Sequence, residues 1–152
     1  MLIRAAQPND APLLTVIAFA AKQHWGYSQS AMQSWTDDLT VTSAAIESNP
    51  TFLAEENATP VAFYMLSAEG ADWELEHFWV APQSMRRGIG TMLFKHALEV
   101  ARRHGGTVLH IDADPNAERF YLACGARRMG SVAAPIPDDL QRTRPLLTLP
   151  LC

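Results

Sequence analysis

The stretch from Trp73 to His104 constrains this chain more than any other. Trp73-Glu-Leu-Glu-His-Phe-Trp-Val80 is a β run rich in aromatic and branched residues. It enters the loop Ala81-Pro-Gln-Ser-Met-Arg-Arg87. From Gly88 to His104, Ile89, Leu93, Ala97, Val100 and Ala101 then line one face of a helix. Gly105-Gly106 stops that helix. Such a succession requires a sheet with the helix packed on it. The first helical turn also presents unpaired N–H groups and a partial positive charge. Gly88 and Gly90 let an anion approach the backbone, and Arg86 and Arg87 add charge-assisted donors. The junction reads as an anion site.

The other elements are shorter. Leu2–Ala5 reads as a strand, and Gln7-Pro-Asn-Asp10 as a turn with cap residues. Pro12 suits a first helical turn, and Leu13, Leu14, Ile17, Ala18 and Ala21 continue at helical spacing. Gly26 breaks this helix. Ser28 caps a second that runs to about Leu39, and a further short helix falls near Ser43–Ser48. Thr51–Glu55 and Val61–Ser67 read as strands. Thr107–Ile111 is a strand of buried type, Asn116–Cys124 a short helix, and Arg127–Val132 and Leu146–Leu151 closing strands. This order predicts one α/β (mixed α+β) domain over residues 1–152. Its sheet is mixed, mostly antiparallel and of six to seven strands, flanked by about four helices.

Charge divides the chain. Residues 1–80 hold ten acids against Arg4 and Lys22, whereas residues 81–130 hold eight bases against four acids. A basic middle suits an anionic ligand, and an acidic first half leans toward a cationic one. With a pI near 5.7 and no basic-aromatic groove motif, nucleic-acid binding is not expected. No apolar run approaches membrane-spanning length, and the N-terminus lacks a signal-peptide layout. A cytoplasmic location is the expectation. Neither the five histidines nor Cys124 and Cys152 make a metal or disulfide pattern, so no metal is expected.

The anion loop admits two readings. Gly88-Ile-Gly90-Thr-Met-Leu93 is an incomplete dinucleotide fingerprint, with Asp112 at the end of the next strand as a ribose ligand. That would make a dinucleotide-dependent oxidoreductase. Against it, strands joined by hairpin turns precede the loop, where a dinucleotide site opens a βαβ series. The loop also resembles the acetyl-CoA loop of the GNAT (Gcn5-related) N-acetyltransferases, Q/R-x-x-G-x-G/A. Gly88 and Gly90 match, and Met85 departs at the first position. Asp114-Pro-Asn-Ala-Glu-Arg-Phe-Tyr-Leu-Ala-Cys-Gly-Ala126 is similar to the family's later motif, an asparagine followed by an aromatic-tyrosine pair and a glycine turn.

The resemblance implies a cytoplasmic acyltransferase that moves acetyl from acetyl-CoA to a primary amine by direct attack on the thioester. The acceptor would be a small molecule or a peptide, and a homodimer is in keeping with the family. A CoA-binding module without catalysis is the alternative. Tyr121 falls on the family's catalytic tyrosine. Glu74 and Glu76 are the family-like bases on the strand, with His77 or a water as substitutes. Alternation would place Glu74, Glu76, Phe78 and Val80 on one sheet face. The resemblance gives acetyl-CoA contacts to Phe78, Trp79, Val80, Met85, Arg86, Arg87, Gly88, Ile89, Gly90, Thr91, Asn116 and Arg119. It also implies a strand bulge that splays the sheet around the pantetheine arm. His24, Trp25 and Tyr27 would border the acceptor with His77, and an aromatic pair there suits an amine cation.

Overall fold

The computed structural model describes residues 1–151. Seven strands form one sheet in the order β1-β2-β3-β4-β5-β7-β6. They are β1 (Leu2–Ala5), β2 (Thr51–Glu56), β3 (Thr59–Glu69), β4 (Asp72–Val80), β5 (Val108–Asp112), β6 (Arg127–Ala133) and β7 (Thr143–Pro150). Every pairing is antiparallel except β4 with β5. The helices are α1 (Ala11–Gln23), α2 (Gln29–Ser34), α3 (Thr36–Leu39), α4 (Ser43–Ser48), α5 (Ile89–Arg103) and α6 (Glu118–Ala123). The mixed, mostly antiparallel architecture expected from element order is therefore the one observed. The expected helix from Ser28 to Leu39 is divided at Trp35, whose φ of -101° and ψ of 10° interrupt it.

Two apolar layers cover the sheet. On one face Leu14, Ile17 and Ala18 of α1 pack with Leu53, Phe63 and Met65. On the other, Leu93, Phe94 and Ala97 of α5 pack with Tyr64, Leu109 and Leu147. Each such large side chain contributes about 1.5–3 kcal/mol on burial. Short connections between β2, β3 and β4 follow from turn chemistry: Asn57 and Ala58 take positive φ in the first, and Glu69-Gly70 makes the second.

Two irregularities in β4 shape the site. Met65 of β3 pairs with His77, but Leu66 pairs with Leu75, so Glu76 is an extra residue. This bulge shifts the phase of the strand. Trp73 and Leu75 before it, and Phe78 and Val80 after it, all pack on the α5 side, while Trp79 packs on the α1 side. Glu74, between Trp73 and Leu75, therefore lies on the face opposite Phe78 and Val80. The expected common face of Glu74, Glu76, Phe78 and Val80 does not form, because plain alternation assumes an unbroken strand. The second irregularity is that β4 pairs with β5 only from Asp72 to Glu74. Beyond that point the strands part, and Leu75–Val80 has no strand partner on its β5 side.

Candidate active site at the parted strands

A cavity of about 330 Å³ opens where β4 and β5 separate. Phe78, Trp79 and Val80 form one wall, and Met85, Arg86, Gly88, Gly90 and Thr91 bring the loop and first turn of α5 to it. Asn116, Phe120 and Tyr121 form the opposite wall, and Trp25 and Asp114 also line it. The bulge brings Phe78 here: its ring stacks on Phe120 at 5.5 Å and meets Tyr121 edge-on at 6.1 Å.

The loop conformation is specific. Arg86 has φ 64° and Gly88 φ 80°. A left-handed arginine is uncommon and costs backbone energy, the kind of strain that gathers at ligand sites. Gly88 sits at the N-cap of α5 with no side-chain cap, so the first-turn N–H groups stay open to a ligand. A Cβ on Gly90 would stand 3.4 Å from the Phe120 ring and 3.7 Å from Val80. Glycine here keeps the wall thin where the cavity needs width.

Tyr121 has a buried ring, and its hydroxyl makes no hydrogen bond among the described residues. Burial, followed by the nearby Cys124 and the Asp114 carboxylate, pushes its phenol well above the ordinary value. It therefore keeps its proton at neutral pH.

Not every expected residue reaches the cavity. Arg87 forks onto Glu56 at 2.9 and 2.6 Å and ties the loop to the end of β2. Ile89 is buried in the core and Arg119 is exposed. Glu74 is exposed, and Glu76 accepts from Ser67 at 2.6 Å; neither lines the cavity. His77 also lies off it, with Nδ1 accepting the Trp79 indole N–H at 3.1 Å. Burial pulls its imidazole below the ordinary value, so it is neutral and orients Trp79. His24 is exposed and touches Trp25 edge-on at 5.5 Å. Asp112 is forked by Arg144 at 2.8 and 3.1 Å and does not line the cavity.

Sequence reasoning missed a buried polar cluster at the acceptor-side wall. Asp114 Oδ2 accepts from Lys22 Nζ at 2.6 Å, the Tyr27 hydroxyl at 2.8 Å and Arg142 Nη2 at 3.5 Å. Its Oδ1 accepts from the Asn116 backbone and side chain at 2.8 and 2.9 Å. Burial would raise this carboxyl, but Lys22 and the other donors outweigh it and hold the carboxyl below the ordinary carboxylate range. The Lys22 ammonium also sits 4.2 Å over Trp35 and 5.2 Å over Tyr27. The face of Tyr27 is thus occupied by the chain's own cations. One signal was available: Lys22 continues the apolar stripe of Leu14, Ala18 and Ala21, and a lysine there needs a buried partner.

The family model of the acetyltransferase (GNAT) family matches residues 16–126, well over half of the 152 residues. The chain belongs to that family. It is an acetyl-CoA-dependent N-acetyltransferase, and the dinucleotide reading falls with its sheet, which has one parallel pair in place of a βαβ series. Solved structures share the fold. A GCN5-related N-acetyltransferase from Rhodopseudomonas palustris superposes with a TM-score of 0.81 at 22% identity, covering 98% of this chain and 94% of that one. The ribosomal-protein-S18-alanine N-acetyltransferase of Escherichia coli gives 0.75 at 18%, covering 99% and 93%. The PaiA N-acetyltransferase of Thermoplasma acidophilum, solved in complex with coenzyme A, gives 0.76 at 14%, covering 98% of both chains. A search of curated protein sequences finds no significant match. Among the described residues no helix is long and apolar enough to cross a membrane, and no group of acidic, histidine or cysteine side chains could hold a metal ion.

Proposed function

We propose that this acetyltransferase seats acetyl-CoA in the cavity between the parted strands and passes the acetyl group to an amine entering past Trp25. The pyrophosphate would lie on the open N–H groups of Gly88 to Thr91, with Arg86 beside it. The pantetheine arm would run along the unpartnered edge of β4, using backbone groups of Phe78 to Val80 in place of a strand. A backbone N–H at that edge is the natural donor to the thioester oxygen as it gains charge.

The amine attacks the thioester carbonyl, the C–N bond forms, and the C–S bond breaks. Tyr121 supplies the proton for the departing thiolate. The amine's own proton leaves through water. Glu74 and Glu76 stand off the cavity, and Asp114, the one carboxylate lining it among the described residues, is saturated with donors. Asn116 spends both side-chain N–H groups on Asp114 and Tyr27, so it shapes the wall. The acceptor is a small molecule or an exposed peptide amine, and we place the reaction in the cytoplasm.

The observation that carries this reading is Tyr121: a buried, protonated phenol with no partner among the described residues, on the cavity that also borders the free edge of β4. Steady-state kinetics of Tyr121→Phe with an amine acceptor tests it. The variant should lose about a hundredfold in kcat, at the low end for general acid catalysis, with little change in KM for acetyl-CoA. An unchanged kcat would remove Tyr121 from the chemistry.

A further inference from the structure

The cavity crosses the sheet, and its two ends differ. Phe78 and Val80 pack on the α5 side, with the loop and first turn of α5 beside them. Trp79 packs on the α1 side, where Ala21 of α1 and Trp25, just past its end, also line the cavity. The donor of the proposed reaction takes the α5 end with Arg86, which leaves the α1 end to the acceptor. Trp25 keeps 42% of its exposure, and the one aromatic ring against it among the described residues is that of His24. Trp79 spends its indole N–H on His77 Nδ1 at 3.1 Å, so its ring offers the cavity only hydrocarbon. The polar groups at this end are almost all spent. Asp114 accepts from Lys22, Tyr27, Arg142 and twice from Asn116. Asn116 gives both side-chain N–H groups to Asp114 and Tyr27. Its Oδ1 accepts nothing among the described residues and can take one N–H of an entering amine.

A further charge on the acceptor finds no partner here. A second ammonium would meet a carboxylate that Lys22 and Arg142 already neutralise, at 2.6 and 3.5 Å. The faces of Tyr27 and Trp35, which could hold a cation, hold those same two side chains. A carboxylate would meet Asp114 itself, the group that lines this wall. Taking an unpaired charge out of water is costly in either case. An apolar ring against Trp25 and Trp79 meets no such cost and removes apolar surface from water. The same dry surroundings favour the neutral form of the amine, which is the form that attacks. We propose that the acceptor is a primary monoamine on an uncharged aromatic body, an arylalkylamine. Its ring lies against Trp25 and Trp79, and Asn116 Oδ1 accepts from its nitrogen. This inference rests on the acetyl-transfer reading of the same cavity.

The test is a thiol-release assay with acetyl-CoA and a matched set built on phenylethylamine. Ethylamine lacks the ring, phenylalanine adds a carboxylate, and the ring-aminomethyl derivative adds a second ammonium. Phenylethylamine should exceed each of the others by about tenfold or more in kcat/KM, the worth of burying one ring. Trp25→Ala should shrink its advantage over ethylamine by raising KM for phenylethylamine, and Trp25→Phe should restore part of it. Any member of the set that matches or surpasses phenylethylamine in the wild type overturns the inference and leaves acetyl transfer standing. An advantage unchanged in Trp25→Ala also overturns it. If none of the set releases thiol, the acetyl-transfer reading of the cavity fails. Thermal shifts of the CoA-loaded protein then decide the wall's preference: stabilisation by phenylethylamine alone upholds it, and equal or absent shifts overturn it.

Discussion

Asp114 receives donors from Lys22, Tyr27, Arg142 and twice from Asn116, so its removal leaves two cations buried without a counter-charge. Breaking one side of such a group is far more harmful than never having built it. Asp114→Asn should therefore lower stability by about 3 kcal/mol, read from the urea midpoint at unchanged slope. A loss under about 1 kcal/mol would mean the cluster is solvated in solution. At this scale the sequence was legible where a residue acts by type and spacing. Gly88, Gly90 and Tyr121 could be picked out because a loop at a helix start and an aromatic-tyrosine pair are local patterns. Arg87 could not be resolved from Arg86. Both are exposed arginines in one loop, and only the approach of Glu56 from β2 turns Arg87 away. The Asp114 cluster draws on three segments, Lys22 to Tyr27, Asp114 to Asn116 and Arg142, so no single stretch of sequence displays it.

Among the elements, β4 carries the most information that alternation hides. The extra residue at Glu76 exchanges the faces of everything that follows. No residue type in Trp73–Val80 marks the bulge, because it comes from pairing with β3 and not from local propensity. The long helix α5 shows the opposite case. Its apolar stripe is strong enough that Ile89, Leu93, Ala97, Val100 and Ala101 are all buried as the spacing predicts. Its exit is tightly fitted. A Cβ on Gly106 would lie 2.7 Å from Trp73 Cδ1 and 2.9 Å from the Ala101 carbonyl oxygen. Gly106→Ala should cost about 1–3 kcal/mol, seen as a lower Tm, because the indole and the end of α5 must both shift. A Tm equal to the wild type would show that this junction yields freely.

Across the whole molecule, each apolar layer carries a half-buried histidine. The His77 ring lies tilted against Phe63, centroids 5.6 Å apart, on the α1 side. His96 pairs with the Tyr64 hydroxyl at 2.7 Å on the α5 side. Burial pulls both imidazoles below their ordinary value of 6.5. The unfolded chain then binds protons near pH 6.5 that the folded chain refuses. Their neutral burial is tolerated above that pH, and stability falls as pH drops toward the folded values. Tm should fall between about pH 7 and pH 5.5, and His77→Gln should flatten part of the slope, leaving the share of His96. A wild-type Tm that rises on acidification over that range would contradict both burials. At this scale element order and the two motifs made the mixed sheet legible. What they could not show is how far β4 and β5 stay paired, and that distance sets the size of the cavity.

The proposed acetyl transfer requires acetyl-CoA to occupy the space opened by those parted strands. Calorimetric titration of acetyl-CoA into the wild type and into Gly90→Val tests it most directly, because a valine side chain would grow from a position already 3.4 Å from Phe120. One site is expected in the wild type, and binding weaker by about tenfold or more in the variant, with far-UV circular dichroism unchanged. Equal affinity in the two proteins would place the donor elsewhere and contradict it.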